Sequence, residues 1–206
     1  MPDDLINESF RALVFRNRGT LLALPAIALG LWGKPSALST AVGLPLALAG
    51  ELLRCWAVGY SGVTTRGDAV EAPKLVSNGP YAHVRNPLYI GNFLTALGFS
   101  IAFTGRLPAA QRAQYMLGGL GLMVAVYAVI IPHEEAFLAQ TFGEDFALYR
   151  ERVPAIVPRL SRFTRAQGEF DASVIANAET RTFVTFGLML LALVVRAGQA
   201  DRAADE

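Results

Sequence analysis

One cysteine, two histidines and few charges leave this 206-residue chain with little of the chemistry common in soluble enzymes. The lone Cys55 excludes an internal disulfide and, without a second thiol, a cysteine-based metal site. Its neighbours are apolar, so it reads as a packed thiol. His83 and His133 would have to converge with Glu134 and Glu135 to hold a metal. HExxH spacing is absent, and no metal is expected. Charged residues make up 17% of the chain, below the usual share of a soluble domain. Basic and acidic residues nearly cancel, 18 against 17, so nucleic acid is not an expected partner. The opening MPDDLINESFRALVFRNRG begins acidic and lacks a cleavage-site pattern, so a removable signal peptide is not expected there. No internal repeat is evident.

What the chain has in abundance is hydrophobic sequence, 53% of it, gathered in blocks. Five apolar segments stand out: Thr20 to Trp32, Ala37 to Tyr60, Leu88 to Thr104, Gln114 to Ile131 and Thr182 to Val195. Long apolar blocks separated by compact polar ones are the pattern of a multi-span membrane protein. The expected fold is all-α: an integral membrane bundle of about five transmembrane helices, with cytosolic loops and short interfacial helices, as one domain over 1–206. The first segment covers only about 20 Å at 1.5 Å per residue. A ~30 Å hydrocarbon core requires that it begin earlier or cross only in part. Two polar blocks, Ser61 to Pro87 and His133 to Arg181, are too long for simple turns and read as functional connections. With the N-terminus in the cytosol, twelve basic residues lie inside, five outside, and Arg54 within a span. This bias places both polar blocks on the cytosolic face of a plasma or inner membrane. The terminal GQADRAADE reads as a frayed tail.

Within the second segment, Glu51 and Arg54 lie three apart and share a helix face. Ionisable groups inside a span either lock helices together or line a functional interior. Pro132 disfavours helix at the residue before it, so a bend is expected ahead of His133, Glu134 and Glu135. The stretch NGPYAHVRNPLYIG, residues 78–91, carries denser signals. Asn78-Gly79-Pro80 is turn chemistry. Pro87 suits a first helical turn, with Asn86 as the cap. Arg85 is placed to bind a lipid phosphate. Tyr81, Tyr89 and Gly91 are not explained by that. A helix N-terminus with an arginine and tyrosine hydroxyls suits an anion, a carboxylate-bearing cofactor among them.

Two blocks together resemble a known family. GPYAHVRNPLYIG is similar to the G-x-Y-x-x-x-R-H-P-x-Y-x-G signature of isoprenylcysteine carboxyl methyltransferases and the related phospholipid methyltransferases. EEAFLAQTFGEDFALYRERVPAIVP is similar to that family's second block, in Glu134, Glu135, Phe142, Gly143, Tyr149, Val153, Pro154 and Pro158. The likeness covers residues 73–158, with 1–60 and 182–196 sharing only hydrophobicity. It implies an integral membrane enzyme using S-adenosylmethionine. Lys74, Leu75 and Val76 would line the cofactor site partly with backbone groups. Tyr81 would touch the cofactor, Asn86, Pro87, Leu88 and Tyr89 would sit against it, and Glu134 would hydrogen-bond it. Arg85 would steady the loop or the cofactor carboxylate. Two positions depart from the pattern. Asn86 replaces the more usual histidine and cannot carry charge. Ile130 stands where the isoprenylcysteine enzymes have an arginine for the substrate carboxylate.

The resemblance leads to the expected activity: methyl transfer to a lipophilic acceptor arriving from the bilayer. A lipid or isoprenoid carboxylate is the favoured acceptor, and a phospholipid amine the alternative. Methyl transfer from a sulfonium requires nucleophile, methyl and sulfur nearly in line. A carboxylate acceptor needs no base, whereas an amine or hydroxyl does. Glu135, Glu51 and His83 are the candidate bases, and Arg85 and Glu135 the expected catalytic pair. Arg159, Arg162 and Arg165 would meet anionic lipid heads. A membrane reductase using a nicotinamide cofactor, and a membrane scaffold without chemistry, are the competing readings.

Overall fold

The computed structural model describes residues 2–62 and 72–205, and the side chains of 10–62, 72–200 and 202. The part of the Ser61–Pro87 block at 63–71, with Arg66, lies outside the described residues. Five long helices follow in order: α1 (Pro2–Trp32), α2 (Ala37–Ser61), α3 (Pro87–Phe103), α4 (Ala109–Arg152) and α5 (Ser173–Asp205). A 3-10 turn, Gly79–Ala82, lies between α2 and α3. There is no strand among the described residues.

Among the described residues, four helices are long and apolar enough to cross a membrane: Phe10–Trp32, Ala37–Ser61, Ala109–Arg152 and Ser173–Ala200. The 17-residue Pro87–Phe103 is shorter but apolar throughout. The chain is therefore a multi-pass, all-helical membrane protein, as its hydropathy pattern predicts. The first span begins well before Thr20. The 23-residue segment from Phe10 reaches about 35 Å, enough to cross.

Three boundaries differ from the sequence expectation. α4 does not end at Pro132. It runs through that residue and breaks at Gly143, whose φ of 50° and ψ of −121° are non-helical. Proline loses one backbone hydrogen bond, which membrane helices absorb, whereas a left-handed backbone favours glycine. The block after the fourth span is consequently helical as far as Arg152, and only 153–172 is irregular. The tail expected to fray is helical to Asp205.

Local chemistry sets the helix starts. Ser36 and Ser39 form a reciprocal cap at the start of α2. Ser36 N donates to Ser39 Oγ at 3.0 Å, and Ser39 N donates to Ser36 Oγ at 3.1 Å. Pro87 opens α3. Asp171 accepts from Ser173 N at 2.8 Å and Ser173 Oγ at 2.6 Å where α5 begins. Those two bonds hold the Asp171 carboxyl below the usual carboxylate range.

The chain divides into two compact units. One comprises Gly19–Glu51, Gly91–Ala125 and Thr180–Glu206. Its core joins Leu29, Ala47, Phe99, Phe103, Phe186 and Met189. There α2 and α3 meet along a seam of small residues. A Cβ on Gly98 would fall 2.3 Å from the Ala47 nitrogen, and one on Gly50 would fall 2.5 Å from the Gly91 carbonyl. Small residues at this spacing let two membrane helices approach backbone to backbone.

The other unit comprises Met1–Arg18, Leu52–Ile90 and Val126–Glu179. Leu75, Ala82, Phe146, Tyr149, Val153 and Phe163 form its core. Both sequence blocks that carry the family resemblance contribute to this cluster.

Candidate active site

The turn that opens the first block is built by its own residues. Asn78 Oδ1 accepts from Gly79 N at 2.9 Å, and Asn78 Nδ2 donates to the Gly168 carbonyl at 2.9 Å. Gly79 has a φ of 59°, and a Cβ there would meet the Tyr60 ring at 2.2 Å. Both conformation and space therefore demand glycine. Tyr81 follows and is buried, with its hydroxyl bonded to Ser61. Burial pushes its pKa up to about 12, against the pull of the Ser61 hydrogen bond. It is thus a neutral phenol at ordinary pH, able to donate a hydrogen bond and unsuited to act as a base.

Arg85 is committed to the protein. Its Nε and Nη2 form a bidentate pair with Glu135 at 2.8 and 3.1 Å. Its Nη1 donates to the Arg150 carbonyl at 3.1 Å and to the Val153 carbonyl. The pair is only 11% and 16% exposed, so a bidentate charge-assisted contact here is a strong one. Arg85 therefore faces inward, not outward to a lipid phosphate. Asn86 is buried at the start of α3. Its amide donates to the Ala155 carbonyl at 3.1 Å and reaches Glu135 at 3.5 Å. Its own carbonyl accepts from Ile90 N at 3.4 Å. Pro87 is fully buried, and Leu88 partly.

Tyr89, one turn into α3, donates its hydroxyl to Glu134 at 2.7 Å, and its ring lies 4.5 Å from that of Tyr127. The tyrosine–arginine–asparagine loop and the acidic pair, 45–50 residues apart in sequence, are thus in direct contact. Tyr149 fixes the second block to the first through a 2.8 Å bond from its hydroxyl to the Tyr81 carbonyl. Of the segment before the turn, Lys74 is exposed, Leu75 is in the core and Val76 is half-buried. The Leu75 side chain is thereby spent on packing.

The two histidines are engaged elsewhere. His83 Nδ1 lies 2.9 Å from the Arg159 carbonyl. The His133 ring lies tilted against that of Phe15, with centroids 5.9 Å apart. No three histidine, cysteine or acidic side chains gather as a metal site among the described residues.

Two residues escaped sequence reading. Arg54 pairs with Glu179 at the start of α5, Nη2 to the two carboxylate oxygens at 2.8 and 2.9 Å. Glu179 has no exposure at all, and the charges of both act on Tyr81. Arg18, on α1, lies over the Phe15 ring at 3.9 Å, and its charge acts on Glu134 and Tyr89. Glu179 sits in a mixed stretch, ANAETRTF, with no period to mark it as buried. Arg18 lies among arginines that read equally well as lipid-facing.

Comparison with known proteins places this geometry in a class. The family model of phospholipid methyltransferases matches residues 38–145, just over half of the chain. The chain belongs to the phospholipid methyltransferase family. Among its relatives is the cobalt-zinc-cadmium resistance protein CzcN of Cupriavidus metallidurans, 35% identical over 136 residues, covering 65% of this chain and 55% of that protein. Protein-S-isoprenylcysteine O-methyltransferase B of Arabidopsis thaliana is 30% identical over 122 residues, covering 56% of this chain and 57% of that one. The protein-S-isoprenylcysteine O-methyltransferase of Schizosaccharomyces pombe is 33% identical over 91 residues, covering 41% and 33%. The chain spans little more than half the length of the first two. No solved structure matches.

Proposed function

We propose that the protein is a membrane methyltransferase that moves a methyl group from S-adenosylmethionine to a lipophilic acceptor, with its site open to the cytosol of a plasma or inner membrane. The contact of Tyr89 with Glu134, beside the Arg85–Glu135 pair, is the observation that carries this reading. The donor set suits such a cofactor. Glu134 offers an acceptor for hydroxyl or ammonium groups. The Tyr89 and Tyr127 rings offer aromatic faces suited to a cationic sulfonium. Glu134, Tyr81, Tyr89, buried Asn86 and Pro87, Leu88, and the backbone of Lys74, Leu75 and Val76 would hold it. The bound cofactor supplies an electrophilic methyl group.

The protein's own part is orientation and exclusion of water. Tyr89 fixes the Glu134 carboxylate. Arg85 and Glu135 hold the loop against the end of α4, which makes them positioning residues for the site. A water-poor setting favours a reaction in which a cation and an anion neutralise each other. That favours a carboxylate acceptor of an isoprenoid or lipid-like molecule, as the names of the isoprenylcysteine relatives suggest. Ile130 is completely buried and offers nothing to such a carboxylate. Arg18 is a further cation whose charge reaches Glu134. A phospholipid amine is the second reading, supported by the family's own description.

Titration with S-adenosylhomocysteine tests the site. Saturable binding is expected for the wild type, and at least about tenfold weaker binding for Glu134→Gln and Tyr81→Phe, since each loses one hydrogen bond to a buried ligand. Equal binding by all three would remove the site, and none by the wild type would leave the scaffold reading. Labelled methyl donor supplied with lipid extracts then separates the acceptors: a methyl ester releases its label in base, and a methylamine does not.

A further inference from the structure

We propose that the segment from Arg152 to Arg165 forms a binding site for the phosphate of an anionic phospholipid, separate from the methyl-transfer site. A cleft of about 350 Å³ is lined by Arg152, Arg159, Arg162 and Arg165, with Leu148 and Phe163 at its apolar side. No lining residue is acidic. The one carboxylate in the stretch 148–165 is Glu151. It lies 3.6 Å from Arg152 with both side chains more than 60% exposed, so it cancels little of the charge. Four guanidiniums around one small cleft repel each other unless an anion sits among them.

The arrangement is held from below. Arg159 N donates to the His83 carbonyl and Phe163 N to the Ala82 carbonyl, each at 3.0 Å. Arg159 Nε donates to Ser161 Oγ at 2.7 Å. Arg159 also donates to the Arg152 carbonyl, and Arg162 to Asn78 Oδ1. Each guanidinium has five N–H donors in a planar fork matched to phosphate oxygens, and these bonds use only some of them.

The same segment exposes apolar side chains beside the cations. Ile156 is 46% exposed, Val157 75%, and Leu160 is completely open. Open aliphatic side chains alternating with arginines belong at a membrane–water boundary, the former among acyl chains and the latter on phosphates. That combination points to a phospholipid over a soluble phosphate compound, which would use the cleft but not Leu160.

The test uses the purified full chain in uncharged detergent, titrated separately with short-chain phosphatidylglycerol, short-chain phosphatidylcholine and inorganic phosphate, with bound ligand read by native mass spectrometry. Phosphatidylglycerol should bind saturably and more tightly than the other two. Arg152→Gln combined with Arg165→Gln should weaken it about 25-fold, at about fivefold per arginine. Leu160→Gln should weaken phosphatidylglycerol and leave inorganic phosphate unchanged. Equal binding of the two lipids, or an unaltered double variant, overturns the proposal. Inorganic phosphate binding as tightly as phosphatidylglycerol also overturns it, in favour of a soluble anion. Should the double variant not fold, Leu160→Gln decides the matter alone. S-adenosylhomocysteine binding, measured in the same samples, should be retained by every variant, so the methyl-transfer reading stands or falls independently.

Discussion

Arg54 and Glu179 are the residues whose removal should be felt most. Each is less than a tenth exposed, and deleting one partner leaves a buried charge. Arg54→Met or Glu179→Leu alone should cost about 3–5 kcal/mol. The double variant should cost less than the sum of the two, because the charges are lost together. Thermal unfolding in detergent, run as a double-mutant cycle, reads this directly, and strict additivity would deny the pair any coupling. Arg85 shows how far a single residue was legible. Its place in a motif marked it as important, but the sequence left its partner open between a lipid, a cofactor and the protein. Only the position of Glu135, 50 residues on, decides for the protein. Glu134 was marked only by the resemblance to a family motif, and the structure adds that the Tyr89 hydroxyl meets it.

Among the elements, the α2–α3 seam brings two helix backbones together. Gly98→Ala would drive a methyl to 2.3 Å from the Ala47 nitrogen, and backbone cannot retreat as a side chain can. A loss of about 1–3 kcal/mol is expected from such overpacking, seen as a lower melting temperature. Gly118→Ala, with nothing within 4 Å, should leave the melting temperature near that of the wild type and serves as the control. Equal melting of the two would show that the helices part freely. The five apolar segments were readable because hydrophobic runs report burial in lipid without reference to any partner. The helix ends were not. α4 passes through Pro132 and yields at Gly143, because helix breaks are set by what the backbone meets on either side, and a proline alone does not reveal that.

For the whole molecule, the asymmetry of basic residues predicts a side. With Cys55 replaced by serine, a cysteine at Leu160, which is fully exposed, should react with a membrane-impermeant maleimide in inside-out vesicles and stay unlabelled in right-side-out ones. The reverse pattern would place the Arg85–Glu135 loop on the far side of the membrane from the cytosolic cofactor, and the proposed activity would fail with it. The class of fold was visible in the chain because it rests on composition, and the two blocks because they resemble a family's signatures. The roles of α1 and α5 were not, since Arg18 and Glu179 act through neighbours distant in sequence.

The Arg85 contacts also set an order of events during synthesis. The guanidinium draws on a carbonyl 68 residues downstream, and the Tyr81 carbonyl waits for a hydroxyl equally far along. A nascent chain that has exposed only its first block at the ribosome therefore lacks the partners that hold the Arg85 loop. A chain stopped short of Val153 should insert into the membrane yet leave that loop without its partners.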